Sequence, residues 1–289
     1  MRAPAVADAG AIAELYADMR ATDTEEVRSW FRNPTFDIER DFRVFERDGA
    51  VVGYADVHRE EDRLSVDWAA RDRTTSEALL RWAEERAREE AVDHVRAWVW
   101  RPEGPEASIL RDRGFGPVRT SLEMQVELPA APSQPMWPDG VAVRTVREGE
   151  EPLVHELLGE AFADTNDFRP TPYDEWTGWA LDPKRFDRDF WFLVLSGNEA
   201  VAVAVCEPQR IGEPGLGWVE SLAVRRAWRR RGFGRALLLH SFRAFHARGR
   251  TAAGLSVDAE NPTGAVHLYE SLGMRPVRMR VIYEKPLAV

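Results

Sequence analysis

Cysteine, lysine and long apolar runs are what this sequence has little of. A single cysteine, Cys206, in 289 residues excludes an internal disulfide framework and points to a reducing compartment. No apolar stretch approaches the roughly 18 residues of a membrane-spanning helix. No basic-then-apolar leader pattern opens the chain either, so the expectation is a cytoplasmic protein without a membrane partner. Excess positive charge is also absent. The formal net charge is −10, which argues against nucleic acid as a partner, because phosphate backbones are bound by neutralising them. The six histidines show neither His-x-His nor His-Glu-x-x-His spacing, so no metal site is expected. Lys184 and Lys285 are the only lysines among 39 basic residues, a bias that by itself carries no mechanism.

What is present is globular: 44% hydrophobic and 30% charged residues, at a length that suits two domains of roughly 100–150 residues. The acidity is one-sided. Residues 1–130 carry 19 arginines against 28 Asp and Glu, whereas 131–289 are near balance with 20 basic and 21 acidic residues. Between the halves lies LPAAPSQPMWPDG, Leu128–Gly140, with Pro129, Pro132, Pro135 and Pro138. Prolines at this density favour an extended path without backbone donors, as in a linker.

Each half shows the same order of periodic segments. In the second, helical spacing over Glu150–Ala163 precedes strands at Phe190–Leu195 and Ala200–Cys206, then a strand at Gly217–Val224. A long helix over Gly234–Arg248, a strand at Ala253–Val257, a helix at Thr263–Leu272 and a closing strand follow. The first half runs from a helix near Asp8–Met19 through a hairpin about Asp48-Gly49 to strands and helices in matching order. Strands followed by helices in this way imply an α/β unit with a mixed sheet. At a shift of 158, Arg229, Arg231, Ala236 and Leu237 fall on Arg71, Arg73, Ala78 and Leu79; at 159, Gly273 falls on Gly114. The placement of these identities supports an internal duplication.

The stretch with chemistry in it is WVESLAVRRAWRRRGFGRA, Trp218–Ala236. Gly232 and Gly234 stand between a strand and a helix, with Arg225, Arg226, Arg229, Arg230, Arg231 and Arg235 around them. Glycine lets backbone approach a ligand, and a helix start offers unpaired N–H groups to an anion. Neither a dinucleotide fingerprint nor a Gly-Lys-Ser/Thr phosphate loop fits, since Leu237 and Arg235-Ala236 stand where those patterns need other residues. Taken locally, a tight strand-to-helix turn with a solvated arginine face fits as well as a phosphate site.

Arg229-Arg230-Arg231-Gly232-Phe233-Gly234 resembles the Arg/Gln-x-x-Gly-x-Gly/Ala signature of the GNAT superfamily of N-acetyltransferases. The stretch from Asn261 through Leu268-Tyr269-Glu270-Ser271-Leu272-Gly273-Met274, about 30 residues on, is similar to that family's second signature. The resemblance implies two tandem GNAT-like domains, each a mixed, mostly antiparallel central sheet flanked by helices. They are expected at 1–127 and 141–289, with 128–140 as linker. It implies acetyl-CoA as cosubstrate in the second domain. There the backbone of Arg229, Arg230, Arg231, Gly232, Phe233, Gly234 and Arg235 would hold the pyrophosphate. Leu222, Ala223 and Val224 would line the pantetheine arm, and Asn261 would sit beside it. Tyr269 would protonate the departing thiolate, or else pack on the core as a helix-end tyrosine. For the base, Glu220 stands at even spacing from Leu222 and Val224, so the three are expected on one face. An alternative is a surface carboxylate paired with an arginine; Glu213 and Asp258 are weaker candidates. Cys206 reads as an inert core thiol.

In the first half, Thr74-Thr75-Ser76-Glu77 stand where Gly232-Phe233-Gly234-Arg235 would be, Asp72 replaces Arg230, and Leu110 replaces Tyr269. This copy is expected to be degenerate and to bind no acetyl-CoA, with Thr74 capping a helix. The acceptor region is expected within 162–192, where Phe168, Tyr173, Trp176 and Trp179 alternate with Asp167, Asp174 and Glu175. A small-molecule amine or aminosugar is the preferred acceptor over a protein amine. A non-catalytic acyl-CoA sensor and an interaction module remain open. So do a monomer, a pseudo-dimer within one chain, and a homodimer.

Overall fold

The computed structural model describes residues 1–17, 19, 22–60, 62–100, 102–165 and 168–287. The first half contains α1 (Ala9–Tyr16), α2 (Thr24–Arg32), α3 (Ile38–Asp41), β1 (Phe42–Arg47), β2 (Ala50–Glu60), β3 (Arg63–Ala70), α4 (Arg73–Glu89), β4 (His94–Val99), α5 (Pro105–Asp112) and β5 (Gly116–Glu127). The second contains β6 (Val141–Thr145), α6 (Glu151–Phe162), α7 (Tyr173–Ala180), β7 (Trp191–Ser196), β8 (Glu199–Glu207), β9 (Leu216–Val224), α8 (Phe233–Ala247), β10 (Ala252–Asp258), α9 (Ala265–Glu270) and β11 (Arg275–Pro286). Of these, α2 and α3 were not expected. Both carry an acidic cap that could have disclosed them: Asp23 accepts from Glu26 N at 2.8 Å and Asp37 from Glu39 N at 3.0 Å.

Two compact units result, 1–121 with 278–289, and 122–277. In the first, the strands run β1-β2-β3-β4 followed by the end of β11; β3/β4 is parallel, and the other pairs for which a register is recorded are antiparallel. In the second, the order is the end of β5, then β10-β9-β8-β7-β6, with β10/β9 parallel. The unit boundaries thus differ from the expected cut. Each unit takes one strand end from the other half, because β5 and β11 are long enough to begin in one unit and end in the other. The proline-rich stretch is no free tether. Leu128 N donates to Thr251 O at 2.7 Å, Arg243 donates to Pro132 O at 2.5 Å, and Trp137 packs beside His240.

The second unit has a core on each face of its sheet. Val201, Ala202, Leu237, Phe242 and Phe245 belong to the α8 side, and Val154, Leu157, Trp191 and Val203 to the α6 side. β8 is buried on both faces, its side chains divided between the two cores, and α8 buries one helical face against the first of them. The duplication is visible in the short helices. Gly114 (φ 85°) follows α5 and Gly273 (φ 84°) follows α9. In each, the next residue closes the helix end: Phe115 N to Leu110 O at 3.0 Å and Met274 N to Tyr269 O at 3.1 Å.

Candidate active site

The site begins where two strands part. β9 and β10 pair only from Leu216/Ala252 to Val219/Leu255, although β9 continues to Val224 and β10 to Asp258. At the fork, β9 carries a bulge: Cys206 pairs with Val219 and Val205 with Ser221, leaving Glu220 as the extra residue. Beyond it, the β10-facing edge of β9 has no strand partner among the described residues, an edge on which an extended amide chain can add. A cavity of about 500 Å³ opens there, within the usual range of small-molecule sites of roughly 300–1,000 Å³.

Its floor is the start of α8. Gly232 is the N-cap at φ 86°, and no side chain caps the helix, so the first-turn N–H groups of Phe233, Gly234 and Arg235 lack intrahelical acceptors. Arg230 is also left-handed at φ 62°, a conformation costly for a residue with a side chain. Two such positions in three residues curve successive N–H groups into an anion-binding hollow. A Cβ on Gly234 would stand 3.2 Å from Leu268 Cδ2, so the loop and α9 meet closely because this residue is glycine. The uncapped helix start, the hollow and the apolar edge of Leu222 and Val224 together offer an anion site beside an edge that an extended amide chain can join.

Most of the expected residues converge. Leu222, Val224, Arg229, Arg230, Gly232, Phe233, Gly234 and Arg235 all line the cavity, as do Asn261 and Tyr269. Ala223 does not; it is buried on the opposite, α6 side of β9. Arg231 lies outside as well, its guanidinium 4.9 Å from the Trp228 ring centre. Asn261 shapes the loop before α9: its Oδ1 accepts from Thr263 N at 2.9 Å. Tyr269 is 8% exposed, and burial alone pushes its phenol up to about 12, so it keeps its proton throughout the neutral range.

Glu220 is not among the lining residues. The expected shared face fails because the bulge breaks the alternation: Leu222 and Val224 pack with Val219 on the α8 side. The Glu220 carboxylate instead accepts from Trp218 Nε1 at 2.9 Å. Trp218 in turn lies under the Arg210 guanidinium, 3.7 Å from the ring centre, and Arg210 is ion-paired with buried Glu123 at 2.9 Å. Glu213 lies 3.8 Å from the same arginine, and Asp258 caps its own loop by accepting from Glu260 N at 2.8 Å. Sequence reasoning missed Glu207, which stands opposite Trp218 in register. Burial pushes its carboxyl upward despite an ion pair with Arg185 at 3.0 Å.

The arginines divide. Arg225 binds Glu156 at 2.9 Å and also Glu160; Arg226 and Arg229 share Asp164. Arg235 donates to Ser271 Oγ at 3.0 Å. Among the described residues, Arg230 has no ion-pair partner. The end of α6 also lines the cavity, through Ala161, Phe162 and Thr165, which nothing in the local sequence signals. The aromatics of the expected acceptor region divide: Trp176 is 3% exposed and packs on Trp191, Phe168 is half-buried, and Tyr173 and Trp179 are exposed. Asp167 lies outside the described residues. Cys206 is fully buried, with its thiol pushed by burial up to about 12. Among the described residues, no group of three or more His, Cys, Asp or Glu could hold a metal ion, and no helix is long and apolar enough to cross a membrane.

Forked parallel strands above an uncapped helix start define an α/β protein built to take a coenzyme A thioester. Residues 152–274 match the Acetyltransferase (GNAT) family. A mycothiol acetyltransferase of Thermomonospora curvata is 30% identical over 256 residues, which span 83% of this chain and 80% of the relative. The crystal structure of a GCN5-related N-acetyltransferase from Sphaerobacter thermophilus superposes with a TM-score of 0.80 at 30% identity, covering 99% and 94% of the two chains. A tandem GNAT protein from the clavulanic acid biosynthesis pathway shares the fold at a TM-score of 0.75 and 16% identity, over 100% and 98%. The chain belongs to the GNAT family of acetyltransferases: it is an acyl-CoA-dependent N-acetyltransferase with two tandem GNAT-like domains.

Proposed function

We propose that the second unit carries the reaction, moving an acetyl group from acetyl-CoA directly to the primary amine of a small molecule. The observation behind this reading is the fork between β9 and β10, opening over the uncapped α8. Acetyl-CoA supplies the activated thioester; the chain binds it and manages protons. The N–H groups of Phe233, Gly234 and Arg235 hold the pyrophosphate, and the free edge of β9 at Leu222 aligns the pantetheine amides. Glu220, the bulged residue where β9 and β10 part, lies outside the cavity lining and takes, through a water, the proton released as the amine nitrogen bonds to the acetyl carbon. The Trp218 indole holds that carboxylate in place. As the carbon–sulfur bond breaks, the Tyr269 hydroxyl donates its proton to the departing sulfur.

The first unit is a degenerate copy that takes no acetyl-CoA. For the acceptor, the 30% identity to a mycothiol acetyltransferase favours mycothiol-related amines as the first to try. Beside them belong aminosugars and, as the contrasting class, peptide amines. Thiol release measured with acetyl-CoA and this panel tests the reading. Turnover with a small amine supports it; turnover confined to peptides overturns the acceptor class. Calorimetric binding of acetyl-CoA without turnover of any amine would leave a sensor instead.

A further inference from the structure

Arg229 opens the signature loop, and its place in the sequence suggests a phosphate ligand. Each of its three guanidinium nitrogens donates instead to a protein acceptor. Nε reaches Val224 O at 3.2 Å, one Nη reaches Asp164 at 2.7 Å, and the other reaches Ala161 O at 2.9 Å. Asp164 also holds Arg226, whose Nε lies 3.1 Å from it and whose Nη contacts its second oxygen. The Arg229 guanidinium thus ties the end of β9 to the end of α6, and the Asp164 carboxylate joins it to Arg226 in the turn at residues 226–228. Two cavity walls are made from these pieces: Ala161, Phe162 and Thr165 on one side, and the loop from Trp228 on the other.

We propose that Asp164 is a positioning residue: through Arg226 and Arg229 it sets the shape of the pyrophosphate loop before the ligand arrives, and Arg229 is a strut rather than a phosphate ligand. This rests on the reading that the cavity takes acetyl-CoA. A loop ordered in advance does not have to be ordered at binding, which strengthens affinity without any new contact. The charge argument gives the test its sign. A carboxylate beside a phosphate site repels the ligand, so on electrostatics alone its removal tightens binding. Removal of a latch weakens it.

The experiment is calorimetry of acetyl-CoA with the full chain, alongside hydrogen exchange over residues 225–235. Asp164→Ala is expected to bind about tenfold more weakly, the equivalent of one lost charge-assisted hydrogen bond. Its free loop exchanges faster than wild type and recovers wild-type protection when saturated with acetyl-CoA. Asp164→Glu, which can still reach both arginines, stays within about threefold of wild type. Glu156→Ala, which removes a partner of Arg225 alone, changes neither readout. Equal or tighter binding by Asp164→Ala overturns the latch and returns Arg229 to the phosphate. The latch also fails if Asp164→Glu is as weak as Asp164→Ala with a lowered melting temperature, since the role is then merely structural. If wild type itself binds no acetyl-CoA, the reading of the cavity falls and the latch with it.

Discussion

Eight residues, Arg225–Gly232, connect β9 to α8 in the second unit; in the first, Arg71 and Asp72 alone connect β3 to α4. The parallel strands behave alike. β3 and β4 pair from Arg63/His94 to Val66/Ala97 and then part, just as β9 and β10 do. The helix starts do not. α8 begins at a glycine with no capping side chain, whereas the Asp72 carboxylate accepts from Thr75 N at 2.9 Å and Thr75 Oγ1 at 3.0 Å, and pairs with Arg47 at 2.9 Å. The cap is therefore Asp72 and not the expected Thr74, because the helix starts two residues earlier. One unit fills its helix start with its own anion; the other leaves its helix start uncapped. Under the proposed reading, loop length and the N-cap, rather than the fork of strands, decide cofactor binding.

The comparison can be broken at several points. The largest effect is expected at Tyr269, whose counterpart is the core residue Leu110. Tyr269→Phe should lower kcat on the order of 10²-fold or more while leaving acetyl-CoA affinity near wild type; an unchanged kcat would remove the phenol from the reaction. Next is Gly232→Asp, which puts a carboxylate at the start of α8, on a left-handed backbone (φ 86°) where the first unit's Asp72 is extended. Calorimetry should show one acetyl-CoA per wild-type chain and binding weaker by roughly 100-fold in the variant. A stoichiometry of two would restore the first unit as a binding domain.

Smaller effects concern stability. The Tyr269 phenol is raised in the folded state from 10.0 to about 12, so the folded chain favours its protonated form. That contribution is complete below pH 10 and is lost as pH rises toward 12, with a slope of at most about 1.4 kcal/mol per pH unit. Tyr269→Phe should flatten this part of a denaturation-against-pH curve, and an unaltered curve would show that the phenol ionises freely. Smallest is Asp72→Ala. Loss of the cap should cost about 1 kcal/mol in denaturant unfolding and leave acetyl-CoA binding unchanged; a second binding event on removing this carboxylate would mean that charge alone silenced the first unit.

Much of the site was legible because it is local. Gly232 and Gly234 between a strand and a helix are a matter of turn chemistry, while Leu222, Val224 and Tyr269 follow from the resemblance to the GNAT signatures; the cavity gathers all five. The face of Glu220 was misread because period-2 reasoning assumes an unbroken strand, and one bulged residue shifts every face after it. The arginines misled for another reason. Arg225, Arg226 and Arg229 find their carboxylates on α6 and just after it, at Glu156, Glu160 and Asp164, more than sixty residues earlier. No local pattern reports a pairing at that distance.

By itself the sequence determined the alternation of strands and helices, the duplication, the glycine loop and the absence of that loop from the first half, since each follows from apolar period and turn residues. Only the tertiary structure decided where the units divide and which cations are spent. Those outcomes depend on which strand edges and which charges meet. β5 and β11 each start in one unit and finish in the other, and Asp164 pairs with both Arg226 and Arg229, because contacts made across the fold outweigh nearness along the chain.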